Sequence, residues 1–167
     1  KGLNVLLTAR QARYVLQPIA LWLHEKEGRR SAPDHAIIGM IKTSLDEIGK
    51  SDISPEKLLL NIRDRSGIFM GYSETEYGFT HLSFQEYLAA EQIRNTGNIS
   101  LLVDNYSERW WREIILLCLA LDNPSIIEEF MTKIIYSKYF KDDIAIVQDV
   151  IKDSIKKPLQ PFLADIR

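Results

Sequence analysis

Residues 77–90 read Tyr-Gly-Phe-Thr-His-Leu-Ser-Phe-Gln-Glu-Tyr-Leu-Ala-Ala, the most informative part of the chain. Its first half alternates, with Tyr77, Phe79 and His81 at every second position, which predicts a β-strand rich in aromatic side chains. Its second half has helical spacing from Ser83 onward, and its paired alanines favour a helix that packs closely. The stretch therefore predicts a sharp strand-to-helix junction.

The junction itself makes His81 a candidate binding residue. Ser83 suits the N-cap position, and Glu86, three residues later, would complete a capping box for a helix over Ser83–Asn95. His81 then lies at the strand end beside the helix N-terminus, where backbone N–H groups favour an anion. The alternative is a histidine that only packs and hydrogen-bonds at the junction.

The same residues carry a family resemblance. Phe79–Ala90 resembles the Phe-x-His-x-Ser/Thr-Phe-Gln-Glu-Tyr/Phe-x-Ala-Ala motif in the winged-helix domain of NACHT-type STAND signal-transduction NTPases, which include the animal NOD-like receptors. In that family the motif histidine contacts the β-phosphate of bound ADP and holds the protein closed and inactive. The resemblance assigns this role to His81 and to no other residue of the chain.

Composition is that of an ordinary globular protein. The 167 residues are 46% hydrophobic and 26% charged, with a formal net charge of −2, which gives no bulk attraction for nucleic acid or anionic membranes. The single cysteine, Cys118, lies in an apolar run and is predicted to be buried. No apolar stretch is long enough to span a membrane, and no signal peptide is recognisable, so we expect a cytoplasmic location. A start without Met predicts a piece of a larger protein.

The order of the predicted elements, and the glycine and proline residues that interrupt or end them, predict a winged-helix domain over residues 1–96, in a mainly α fold. Helices are expected at 10–27, 34–48 and 54–67, and Pro18 predicts a kink or break in the first. Residues 28–33 are predicted to be a loop. Strands at 68–72 and 77–81 form a hairpin wing around a polar turn. The family resemblance implies the same architecture.

A second, helical domain is predicted over residues 97–167. Its helices are expected at 99–105, 107–121, 125–136 and 142–155, and their tandem pairing would suit a HEAT-like module. Trp110 and Trp111 occupy adjacent helical positions, so both cannot point inward. One of them is therefore a candidate for an interface.

The sequence contains no recognisable catalytic or phosphate-binding motif. There is no Gly-x-x-x-x-Gly-Lys-Ser/Thr phosphate loop, and His24, His35 and His81 lack metal-ligand spacing. We expect no cofactor in this chain and no enzymatic activity of its own. The resemblance implies that ATP or ADP with Mg²⁺ binds an NTPase domain elsewhere in the parent protein.

Three functional classes follow. The first is a regulatory region of a NACHT-family switch, with the NTPase domain of the same protein as partner and homo-oligomers on activation, as the resemblance implies. The second is DNA binding through the third helix, where Lys57, Arg63 and Arg65 alternate with acidic residues. Glu74 and Glu76 on the wing turn weigh against nucleic acid as a partner. The third is a protein-interaction scaffold without nucleotide contact.

Overall fold

The computed structural model describes residues 6–120 and 124–138, together with residues 145, 148 and 149. The chain divides into two compact units, Lys1–Gln92 and Ile93–Arg167. The predicted domain boundary at 96 stays a prediction. Among the described residues, no helix combines the length and apolarity needed to cross a bilayer.

The first unit has the predicted three helices and hairpin, followed by the helix that carries the motif. Its elements are α1 (Ala9–His24), β1 (Ser31–Pro33), α2 (Asp34–Glu47), α3 (Pro55–Ser66), β2 (Phe69–Gly71), β3 (Glu76–Phe79) and most of α4 (Leu82–Thr96), which continues past Gln92. The mainly helical winged-helix prediction is therefore confirmed.

Two helix starts follow directly from local chemistry. Thr8 caps α1 through a complete capping box: its hydroxyl accepts from the Gln11 backbone N–H at 3.2 Å, and the Gln11 side chain accepts from the Thr8 N–H at 3.0 Å. Ser54 caps α3 by accepting from the Lys57 N–H at 3.3 Å. These side chains satisfy backbone donors that have no partner inside the helix.

Of the kink or break predicted at Pro18, the break is wrong, and the kink stays a prediction. Helix α1 continues through the proline from Ala9 to His24. A proline inside a helix costs about 3 kcal/mol because it removes one hydrogen bond and crowds the preceding turn. Here the apolar face on both sides of the proline is buried, including Val15, Ile19 and Leu23. Burial of each such side chain contributes about 1.5–3 kcal/mol, which offsets the local cost.

The wing is part of a three-stranded antiparallel sheet in the order β1-β3-β2. Strand β1 lies within the segment predicted to be a loop, so that prediction is wrong for residues 31–33. Ala32 pairs with Tyr77 of β3, and on the other side of β3 Met70 pairs with Gly78. A strand of three residues is too short to display alternation, and its partner lies more than 40 residues away.

Gly78 is what lets β1 approach β3. A Cβ atom at this position would lie 2.0 Å from the backbone carbonyl oxygen of Arg30 and 3.1 Å from the Cα atom of Ser31. No other side chain would fit without displacing the β1 backbone. The hairpin also packs inward through Phe69 and Phe79, whose rings meet edge to face at 5.1 Å.

The second unit contains short helices. They are α5 (Ile99–Asp104), a 3-10 helix (Arg109–Trp111), α6 (Arg112–Ala120) and α7 (Pro124–Ile135). The helix expected at 107–121 therefore begins later than predicted and is preceded by the tighter 3-10 turn. The helix expected at 142–155 lies largely outside the described residues. A HEAT-like arrangement stays a prediction.

The core of the second unit is apolar. The rings of Tyr106 and Phe130 pack at 6.2 Å, and Cys118 is buried as predicted. Burial raises the pKa of the Cys118 thiol to about 12, with a small opposing effect from the Arg94 charge. This cysteine is therefore a packing residue and not a reactive thiolate.

Candidate functional site

The strand-to-helix junction lies where the sequence predicts it, but it is built differently. Strand β3 ends at Phe79 and α4 begins at Leu82, so Thr80 and His81 form a two-residue connection. Because α4 starts one residue before Ser83, that serine lies inside the first turn, and its predicted N-cap role is wrong. His81 is the residue immediately before the helix.

Backbone contacts hold this connection in place. The Thr80 N–H donates to the Ile68 carbonyl at 3.0 Å, and the Thr80 hydroxyl donates to the Gly67 carbonyl at 3.1 Å. The His81 carbonyl accepts from the Phe84 N–H at 3.2 Å. The main chain that carries the histidine is therefore anchored on both sides.

The His81 side chain is exposed to solvent. Its imidazole ring packs against Phe84 at a centroid distance of 5.8 Å and an interplanar angle of 49°. Within the described residues, its ring nitrogens have no hydrogen-bond partner. A contact with another domain requires this kind of exposure. A histidine that merely fills the junction would be expected to be buried and bonded within the chain.

The electrostatic surroundings of His81 suit an anion. The first turn of α4 contains no acidic residue, and its leading backbone N–H groups carry the positive end of the helix dipole. Among the described residues, no cluster of His, Cys, Asp or Glu side chains could hold a metal ion. The arrangement can donate a hydrogen bond to a phosphate or carboxylate oxygen.

Gln85 of the motif is an internal residue. It is fully buried, and its Nε2 donates to the Arg29 carbonyl at 3.4 Å and lies 3.5 Å from Nδ1 of His24. Leu88 and Ala89 are buried with it at the i+3 and i+4 positions. This helical spacing is the sequence signal that could have placed Gln85 inside.

Arg29 connects Gln85 to the end of α1. Its guanidinium donates to the carbonyl oxygens of Leu23 at 3.3 Å and of Trp22, and it stacks over the Trp22 ring at 3.9 Å. Arginine near the last turn satisfies carbonyls that the helix leaves unpaired. The start of α4, behind the exposed histidine, is thereby tied to the C-terminus of α1.

Glu91 makes a second connection between α4 and α1. Its carboxylate accepts from the Gln17 amide at 3.0 Å and from the Tyr87 hydroxyl at 3.0 Å, and it lies 3.7 Å from the Arg13 guanidinium. Two polar connections thus fix the orientation of α4, and with it the position of His81, within the first unit.

The third helix is poorly suited to DNA. The Arg63 guanidinium donates to the Asp64 carboxylate at 2.7 Å, and this bond lowers the pKa of Asp64 below its ordinary value. An arginine already paired with a carboxylate is a weak partner for phosphate. Glu74 and Glu76 are exposed on the wing. These charges oppose the docking of a winged helix on a duplex.

The two adjacent tryptophans differ in burial, as their neighbouring positions along the chain require. Trp111 is buried in the second unit, whereas Trp110 is half-buried. Trp110 therefore remains the member of the pair that could meet a partner, and its interface role stays a prediction.

Comparison with known proteins identifies one family. Searches of curated proteins and of solved structures find no match. A family model described as the winged helix-turn-helix domain C-terminal to NACHT matches residues 4–93, which is more than half of the chain and includes His81. The chain belongs to the family of winged helix-turn-helix domains that follow NACHT domains.

Proposed function

We propose that this chain is the regulatory C-terminal region of a NACHT-family, ATP-dependent signalling switch, active in the cytoplasm in defence or signal transduction. It would couple the nucleotide state of an NTPase domain in the same protein to conformation and assembly. The observation that carries the proposal is the exposed His81, placed immediately before α4 in a chain of this family. The chain has no enzymatic role of its own in this scheme, because ATP, ADP and Mg²⁺ bind the NTPase domain.

His81 acts in this proposal as a nucleotide latch, meaning a hydrogen bond that stabilises the closed, ADP-bound state. The imidazole Nε2–H would donate to a β-phosphate oxygen. Hydrogen bonds to charged groups contribute about 1.5–3 kcal/mol. Loss of this bond would therefore shift the closed–open equilibrium about tenfold to a hundredfold toward the open state.

The fold supports a latch because it restricts the backbone of His81. The bonds from Thr80 to Gly67 and Ile68, and from Phe84 to His81, hold the junction against the hairpin and α4. A donor that is already in place loses less entropy when it binds its acceptor. Release of ADP would free the first unit from the NTPase domain, and the open protein would then form homo-oligomers.

The test compares His81→Ala with His35→Ala in the full-length protein. His35 lies on α2 in the same unit, with 82% of its side chain exposed, so it controls for loss of an exposed imidazole. We expect His81→Ala to lose co-purified ADP, or to signal without stimulus, while its thermal unfolding matches the wild type. The His35→Ala protein should retain ADP. Equal ADP occupancy and equal ATP turnover in all three proteins would refute the latch.

A further inference from the structure

We infer that Phe84 is a positioning residue for His81, and that its ring holds the imidazole in the orientation that reaches a phosphate. This inference rests on the proposed function. The family motif includes a phenylalanine at this position, but a role for its side chain follows here from contacts around the junction.

Phe84 contacts His81 in two ways. Its backbone N–H donates to the His81 carbonyl at 3.2 Å, and its ring lies 5.8 Å from the imidazole centroid. Aromatic pairs attract one another at centroid separations of this size. The ring contact restricts the imidazole, while the backbone contact restricts the main chain that carries it.

Phe84 is not a fully buried core residue. It is 36% exposed, whereas the next residue, Gln85, is fully buried. A phenylalanine at a partly exposed helix position forgoes part of the hydrophobic free energy it would gain inside. Its ring packs against the neighbouring imidazole, whose nitrogens stay available to a ligand.

The ring contact reduces the side-chain entropy that His81 loses when it binds a phosphate. An exposed histidine populates several rotamers, and binding through one of them costs the freedom of the others. A neighbouring ring that favours one orientation removes part of that cost in advance. Loss of the ring should therefore weaken ADP retention by less than loss of the imidazole itself.

The experiment measures ADP dissociation from the full-length protein carrying Phe84→Leu, Phe84→Tyr or Tyr136→Leu. Leucine keeps apolar bulk without the ring, whereas tyrosine restores the ring. Tyr136 belongs to the second unit, is 86% exposed, and serves as the control for loss of an exposed aromatic ring. We expect Phe84→Leu to accelerate ADP dissociation by roughly twofold to tenfold, from the cost of immobilising one side chain. Phe84→Tyr and Tyr136→Leu should remain near the wild-type rate.

A double mutant separates positioning from direct contact with the NTPase domain. If Phe84 acts through His81, adding Phe84→Leu to His81→Ala causes no further acceleration. Further acceleration in that background would overturn the positioning role, because Phe84 would then contact the NTPase domain itself. If His81→Ala releases ADP but Phe84→Leu does not, the inference fails while the proposed function stands. If His81→Ala retains ADP like the wild type, the proposed function fails and the inference with it.

A spectroscopic measurement tests the ring contact without any nucleotide. In the 167-residue chain, the imidazole proton resonances of His81 should move toward those of free histidine in Phe84→Leu, because the ring current of the phenylalanine is lost. They should stay near their wild-type positions in Phe84→Tyr, and the resonances of His35 should not move in either variant. Unchanged His81 resonances in Phe84→Leu would overturn the inference.

Discussion

Gly78→Ala should be the most damaging small substitution in the wing. The added Cβ would lie 2.0 Å from the Arg30 carbonyl oxygen, so the β1 backbone must retreat by about 1.4 Å to reach ordinary contact at 3.4 Å. That oxygen belongs to backbone next to a paired strand and cannot rotate away. Overpacking costs about 1–3 kcal/mol and each lost ladder hydrogen bond about 1 kcal/mol. We expect the free energy of unfolding to fall by roughly 2–4 kcal/mol.

Two other glycines isolate the steric contribution. At Gly39 in α2 an added Cβ meets nothing within 4 Å, so Gly39→Ala should stabilise the protein by about 0.5–1 kcal/mol through helix propensity. At Gly67 the space is also open, but φ is +66°, so Gly67→Ala should cost about 1–2 kcal/mol through backbone strain alone. Gly78 has no positive φ, and any loss there is steric.

Urea unfolding of the 167-residue chain, followed by far-UV circular dichroism, ranks the three variants. The expected order of stability is Gly39→Ala, wild type, Gly67→Ala and then Gly78→Ala. If Gly78→Ala unfolds within about 0.5 kcal/mol of the wild type, a typical effect of a surface change, β1 is not held against β3 as described.

Three further predictions concern single side chains. The pKa of the Cys118 thiol rises from the ordinary 9.0 to about 12 in the folded state, so its contribution to stability is complete below pH 9. It is lost between pH 9 and 12, by at most about 1.4 kcal/mol per pH unit. Urea unfolding at a series of pH values should show the free energy of unfolding falling less steeply with pH in Cys118→Ala than in the wild type, and equal slopes would contradict the raised pKa. Ser54→Ala should lower the free energy of unfolding, measured in urea, by about 1 kcal/mol, because α3 loses its N-cap. A decrease below about 0.3 kcal/mol would show that the cap contributes little to stability. Arg29→Lys should lower the thermal unfolding midpoint, because an ammonium cannot both bond two carbonyls and stack on Trp22 as the guanidinium does. If Trp22→Phe lowers the midpoint by the same amount, the loss in Arg29→Lys comes from the stacking contact and not from the hydrogen bonds to the carbonyls.

Local chemistry explains which parts of the fold could be predicted from sequence. The starts of α1 and α3 follow from side chains within three residues of each helix end, at Thr8 and Ser54. The hairpin follows from alternation on both sides of one polar turn. Each of these features depends on neighbours in sequence, so each is written in a short window of residues.

Tertiary contacts explain what the sequence did not reveal. Strand β1 exists because Gly78, far along the chain, leaves room for it. Helix α1 continues through Pro18 because its face is buried by the rest of the unit. Gln85 is internal because Arg29 offers it a carbonyl oxygen. None of these partners is near in sequence, and a window around each residue cannot contain the cause.

The candidate site shows the same division. The junction and the identity of His81 were predictable, because the motif and its change of period lie in one continuous stretch. The exact end of β3, the absence of a Ser83 cap and the ring contact with Phe84 depend on where the helix starts in space. Successive helical residues differ by about 100° around the axis, so which side chain lies beside His81 depends on where the first helical turn begins.

The motif helix α4 presents one set of motif residues to the core and another to solvent, and this has a consequence for inherited or engineered variants. Changes at Gln85, Leu88 or Ala89 would reduce the amount of folded protein, because those side chains are buried. Changes at the exposed residues His81 and Phe84 would leave the amount of folded protein unchanged, and under the proposed latch they would alter nucleotide retention. Protein abundance therefore separates the two kinds of variant: the first kind lowers it, because cellular quality control removes unfolded protein, whereas the second kind does not.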